Sequence, residues 1–126
     1  YNASKFALAG WSEALRHELR PLGIDVALVE FGAYRTGIWA KGFAGLPEDT
    51  PEDYRPQFRR MLELARRSAE RAPDARLAAG LIVRLARGRP RRFRYPAGAG
   101  VRLALAAHAL LPWPLYERLI QAMLRG

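Results

Sequence analysis

The chain has no cysteine. It therefore forms no disulfide and offers no thiolate to a metal or a covalent mechanism. Histidine is nearly as scarce: His17 and His108 stand far apart. Neither a metal constellation nor a Ser–His–Asp arrangement can be built from them. No glycine-rich phosphate loop is present. No apolar run reaches the ~20 residues that a membrane span requires. The longest uncharged stretch, residues 103–116, is broken by Pro112 and Pro114. No internal repeat or low-complexity linker appears.

Lysine is almost missing as well. Lys5 and Lys41 are the two lysines among 21 basic residues, and 12 acidic residues leave a net charge of +9. Basic charge can signal nucleic acid or an anionic membrane. Here the arginines spread over several segments, with one cluster at Arg87, Arg89, Arg91, Arg92 and Arg94. No aromatic-basic RNA module and no zinc-finger spacing accompanies them. Solvated helix faces account for them, and no nucleic-acid partner is expected.

What is present begins at once. The first five residues are Tyr1-Asn2-Ala3-Ser4-Lys5. On a helix, positions i and i+4 share a face, with Cβ atoms about 5–6 Å apart. A neighbouring ammonium favours the phenolate and lowers the phenol from its usual value of about 10. Such a tyrosine can exchange a proton with a substrate oxygen near neutral pH. A compact ammonium also suits a ribose hydroxyl and a phenol at once better than a guanidinium does.

The 126 residues suit one domain. A helix is predicted over 3–20. Leu8, Trp11, Leu15 and Leu19 form its apolar stripe, and Ala3, Ala7, Gly10 and Ala14 form a stripe of small residues. Pro21 and Gly23 stop it. Residues 24–30 are apolar with little alternation, which predicts a central parallel strand covered on both faces. Ligands of open α/β sheets bind beyond the carboxyl ends of such strands, so residues 31–37 lie where a cofactor should sit. Residues 38–50 read as loop. Thr50 reads as an N-cap, with Pro51 at the first helical position and helix through 67. A second helix starts at Asp74 and ends at Gly88, with Ala78, Leu81, Ile82 and Leu85 on its inner face. Residues 91–95 alternate as a short strand. Helical patterns return over 101–111 and 115–124. His17 reads as a surface partner of Glu13, and His108 as a packed histidine.

The order Tyr-x-Ala-Ser-Lys, helix, Leu19-x-x-x-Gly23-Ile24-x-Val26, strand, then Gly32-x-x-x-Thr36 closely resembles the short-chain dehydrogenase/reductase family. The resemblance is dense over 1–38, looser over 39–98 and faint beyond. It implies an α/β fold, the C-terminal part of a doubly wound Rossmann-type parallel sheet, mostly helical in this chain. Residues 1–36 would supply the catalytic helix and cofactor-side strand. Residues 37–71 would form a substrate lid, and 72–126 the last strand and C-terminal helices. The implied cofactor is NAD(P)(H), and the implied substrate an alcohol or carbonyl. Tyr1 would be the general acid/base. Lys5 would lower its pKa and bind the nicotinamide ribose. Gly32 would turn the backbone beside the cofactor, and Ala33, Tyr34 and Thr36 would hold the carboxamide. Where the family usually has Pro-Gly, this chain has Phe31-Gly32, which keeps a backbone N–H. The family's first helix here commonly forms a subunit interface, so a homo-oligomer is expected of the complete protein.

The family's glycine-rich turn and catalytic serine normally precede the Tyr-x-x-x-Lys. The chain is therefore expected to be a piece of a longer enzyme, inactive and poorly folded by itself. Trp39, Phe43, Tyr54 and Phe58 could line an apolar cleft, which would favour a lipophilic substrate. The lack of cysteine fits the cytoplasm. A rival reading is a small basic helical module that binds anionic membrane or nucleic acid. The strand at 24–30 argues against it, because a buried parallel strand needs sheet partners. Peripheral membrane contact through Trp113 and Tyr116 is a weaker variant, with packing of two terminal helices the more ordinary explanation.

Overall fold

A computed structural model describes residues 1–47 and 49–125. Glu48, inside the expected loop and lid, and Gly126, at the end of the expected C-terminal stretch, lie outside them.

The first helix, α1, runs Asn2–Leu19. Its alanine-rich sequence favours helix. A short 3-10 turn, Arg20–Leu22, follows, and Gly23 ends it at φ 74°, a left-handed conformation that glycine adopts without a Cβ clash. The strand β1 is Leu28–Phe31. It pairs in parallel with β2, Arg94–Ala97, in the register Leu28↔Arg94 to Phe31↔Ala97. Both strands fall later than their sequence patterns suggest. Residues 24–27 have apolar character but no ladder partner, and the Leu28 N–H bonds the Phe93 carbonyl at 2.7 Å to start the pairing. β1 is half-buried rather than covered on both faces, since β2 is its only neighbour among the described residues.

A parallel pair requires a long crossover. Here it holds α2 (Ile38–Ala44), α3 (Arg55–Glu70) and α4 (Ala75–Arg87). The helix α2 corrects the expected loop at 38–50. Its glycines weaken helix propensity, but the indole N–H of Trp39 donates to the Tyr34 carbonyl at 2.8 Å, and the Trp39 and Phe43 rings stack at 6.1 Å. Thr50 caps nothing: Pro51 instead precedes a 3-10 turn, Glu52–Tyr54, which leads directly into α3. Asp74 does cap α4, its carboxylate accepting the Arg76 N–H at 2.8 Å. Two further helices follow, α5 (Val101–Leu110) and α6 (Trp113–Arg125), and α6 packs on α3. Among the described residues no helix is long and apolar enough to cross a membrane.

The centre of the molecule is thin. Among the described residues, only Ala72 and Ala97 are buried apolar residues, and neither is completely so. The accessible surface is 10280 Å². A folded monomer of this mass exposes about 6,800 Å². Much of the excess is apolar: Phe6 is 73% and Trp11 62% exposed, whereas Ser12 and Arg16 of the same helix are 8% and 9% exposed. The expected apolar stripe of α1 is thus uncovered at Leu8 and Trp11. Glu13 meets Arg94 at 3.5 Å rather than His17. His108 is exposed, not packed, with its ring edge-on to Tyr116 at 5.1 Å.

Candidate active site

Tyr1 stands at the N-cap of α1, and its carbonyl accepts the Lys5 N–H at 3.1 Å and the Ser4 hydroxyl at 2.7 Å. These bonds hold the residue on the first turn although its side chain is exposed. One turn on, the Lys5 ammonium lies over the Tyr1 ring, 5.3 Å from its centroid. The i, i+4 spacing therefore brings cation and phenol together, in a cation–π contact with the ring face.

The segment after β1 arrives beside them. The Gly32 N–H donates to the Ala97 carbonyl at 2.8 Å, which extends the ladder one residue past the strand. Gly32 does not adopt the left-handed backbone. Its need for glycine is contact instead: an added Cβ would lie 2.7 Å from Val101 Cγ2. Gly98, at φ 111°, faces it, and a Cβ there would meet the Gly32 backbone at 3.3 Å. At the strand end two glycines are thus packed against each other. Next, the Arg35 N–H bonds the Pro73 carbonyl at 2.9 Å, an isolated parallel bridge that ties this segment to the start of α4. The Phe31 and Tyr34 rings meet edge to face at 5.7 Å.

Tyr1, Lys5, Gly32, Ala33, Tyr34 and Thr36 all line one cavity of about 800 Å³. Trp39 and Phe43 of α2 and Phe58 of α3 line it too; Tyr54 does not. The other contributors are Phe31, Ile38, Gly42, Leu46, Met61, Leu62, Ala65, Ser68, Ala75 and Ala78. Met61, Leu62 and Ala65 recur at helical spacing, which signals an apolar face of α3 without saying what that face meets. None of the clustered arginines at 87–94 borders this cavity.

The segment after β1 also presents hydrogen-bond donors to the cavity. The backbone N–H groups of Ala33, Tyr34 and Thr36 have no acceptor among the described residues, and all three residues face the cavity. Ala33 and Tyr34 are half-buried and Thr36 is exposed, so these donors are open to a ligand or to water. The Thr36 side chain and the Lys5 ammonium add hydroxyl and cation donors.

Behind the site, Arg94 of β2 bonds Glu30 of β1 at 2.7 Å while also meeting Glu13 of α1. The second Glu30 carboxylate oxygen is buried and has no hydrogen-bond partner among the described residues. Arg16 donates to the Val26 carbonyl, and the Arg16 and Arg94 guanidinium groups lie 5.8 and 5.6 Å from the Phe93 ring centre. These contacts fix α1, and with it Lys5, against the strand pair.

The chain is similar to several curated oxidoreductases. It is 37% identical to the uncharacterized oxidoreductase YusZ of Bacillus subtilis, over 98% of this chain and 45% of that protein. It is 30% identical to the probable short-chain type dehydrogenase/reductase VdlC of Helicobacter pylori, over 100% of this chain and 46% of that one. A 3-ketodihydrosphingosine reductase of Bacteroides thetaiotaomicron is 31% identical over 84% of the chain and 39% of its own length. The chain thus spans less than half the length of these relatives. No family model matches it. No solved structure matches it. Its sequence kinship, running from the Tyr-x-x-x-Lys across almost the whole chain, makes it a member of the short-chain dehydrogenase/reductase family of oxidoreductases.

Proposed function

We propose that the full-length protein is an NAD(P)(H)-dependent oxidoreductase that interconverts an alcohol and a carbonyl compound, with Tyr1 as general acid/base. The observation that carries this reading is the convergence of Tyr1, Lys5, Ala33, Tyr34 and Thr36 on one cavity. A nicotinamide bound there would supply or accept the hydride. The chain's own residues handle the proton. In the reducing direction the Tyr1 phenol gives its proton to the substrate oxygen; in the oxidising direction it takes the alcohol proton. Lys5, adjacent on the same helical turn, holds positive charge beside the phenol as negative charge develops on it. The Thr36 hydroxyl and the free N–H groups of Ala33 and Tyr34 orient the carboxamide.

The same reading places these residues in a doubly wound, Rossmann-type parallel sheet, to which β1 and β2 contribute two strands. Residues 1–36 form the catalytic and cofactor side, 37–71 the lid, and 72–126 the last strand and terminal helices. Residues 1–126 alone are proposed to be inactive.

The test is a Tyr1→Phe substitution in the full-length protein, which removes one oxygen and leaves the ring packing in place. Loss of a general acid/base should lower kcat by about 10²–10⁴-fold. Dinucleotide binding, followed by nicotinamide fluorescence, should persist. A Tyr1→Phe enzyme with unchanged kcat would overturn the assignment.

A further inference from the structure

We infer that the substrate is an uncharged, lipophilic ketone or alcohol whose apolar body lies along α3; this rests on the proposed function. The cavity walls carry the argument. The side of α3 that lines it presents Phe58, Met61, Leu62, Ala65 and Ser68. From Phe58 to Ser68 is ten residues of one helix. That is a wall about 15 Å long at 1.5 Å per residue. The helix carries Arg55, Arg59, Arg60, Arg66, Arg67, Glu63 and Glu70 as well, and none of these lines the cavity. Lys5 is the sole charged residue among the described lining residues, and it sits over the Tyr1 ring at the chemical end.

Among the described residues no cation lies along α3, so a carboxylate or phosphate carried on the substrate body would lose its water there unpaired, which is strongly unfavourable. A small ketone would leave most of the wall in contact with water. Trp39 and Phe43 of α2, stacked on each other, add apolar surface to the same cavity.

The experiment uses the full-length protein with NAD(P)H and straight-chain methyl ketones from butanone to tetradecanone, with acetoacetate as the anionic probe. Two signals are read: nicotinamide oxidation, and quenching of tryptophan fluorescence compared with a Trp39→Phe variant. Specificity should rise with chain length, by about fourfold per methylene while each addition is still buried. Acetoacetate should neither react nor quench. Met61 is half-exposed, so Met61→Arg should fold and should reduce turnover of long ketones selectively. A preference for acetoacetate or butanone overturns the inference while leaving the proposed reaction intact. Quenching by long ketones without any turnover supports the inference and removes the reaction. Absence of Trp39-dependent quenching by every ketone overturns the inference.

Discussion

The helices α1 and α3 solve opposite problems with similar lengths. α3 divides its residues by kind: apolar side chains face the cavity and charged ones face water, with Glu63 bonded to Arg60 and Arg67 on the outside. α1 is inverted, with Ser12 and Arg16 buried and Phe6, Leu8 and Trp11 exposed. Its polar residues are held by the Leu8 and Val26 carbonyls, while Phe6, Leu8 and Trp11 are left largely open. A helix can thus be positioned by a few polar contacts on one side while its large apolar residues stay open on the other. We propose that in the full-length protein this open face is covered, by further sheet and helix or by a second copy.

The largest expected effect tests this asymmetry. Trp11→Ala in the full-length protein should lower stability by about 3–5 kcal/mol, the cost of deleting a packed aromatic. Denaturant midpoints measure it, and an unchanged midpoint would mean that this face of α1 is an ordinary wet surface. Next in size is Gly32→Ala, which drives a Cβ against Val101. Overpacking of this kind costs about 1–3 kcal/mol. A Val101→Ala change in the same protein should recover most of the loss; failure to do so would point to the backbone rather than to the contact. The smallest effect concerns α3. The hydrogen bond from Arg60, followed by the charge of Arg67, holds the Glu63 carboxyl below the usual glutamate range. A carboxyl lowered on folding stabilises the fold above its unfolded value, and that stabilisation fades as pH falls through the folded value. The difference between the wild type and Glu63→Gln should therefore be small at neutral pH, as for any exposed pair, and vanish in acid. A difference that grows in acid would contradict the sign.

How far the sequence could be read follows the same division. Local chemistry was legible: the Asp74 cap, the Gly23 stop and the Tyr1–Lys5 spacing each depend on residues within one turn. Features decided by distant partners were not. The strand pattern at 24–30 gave apolar character, but the ladder at Leu28–Phe31 depends on where residues 94–97 lie. α2 stayed hidden because Gly42 and Gly45 punctuate it, while Trp39 secures it through Tyr34. The contact at Gly32 was not legible, since no sequence pattern reveals that Val101 will occupy the space beside it.

Arg94 sets an order of events. Its partner Glu30 lies 64 residues earlier in the chain. Glu13 lies further back still, so this bond between α1 and the strand pair must wait for β2. Closing so long a loop is slow relative to forming a helix. During synthesis, the Tyr1–Lys5 turn therefore stays unanchored on this side until β2 has emerged.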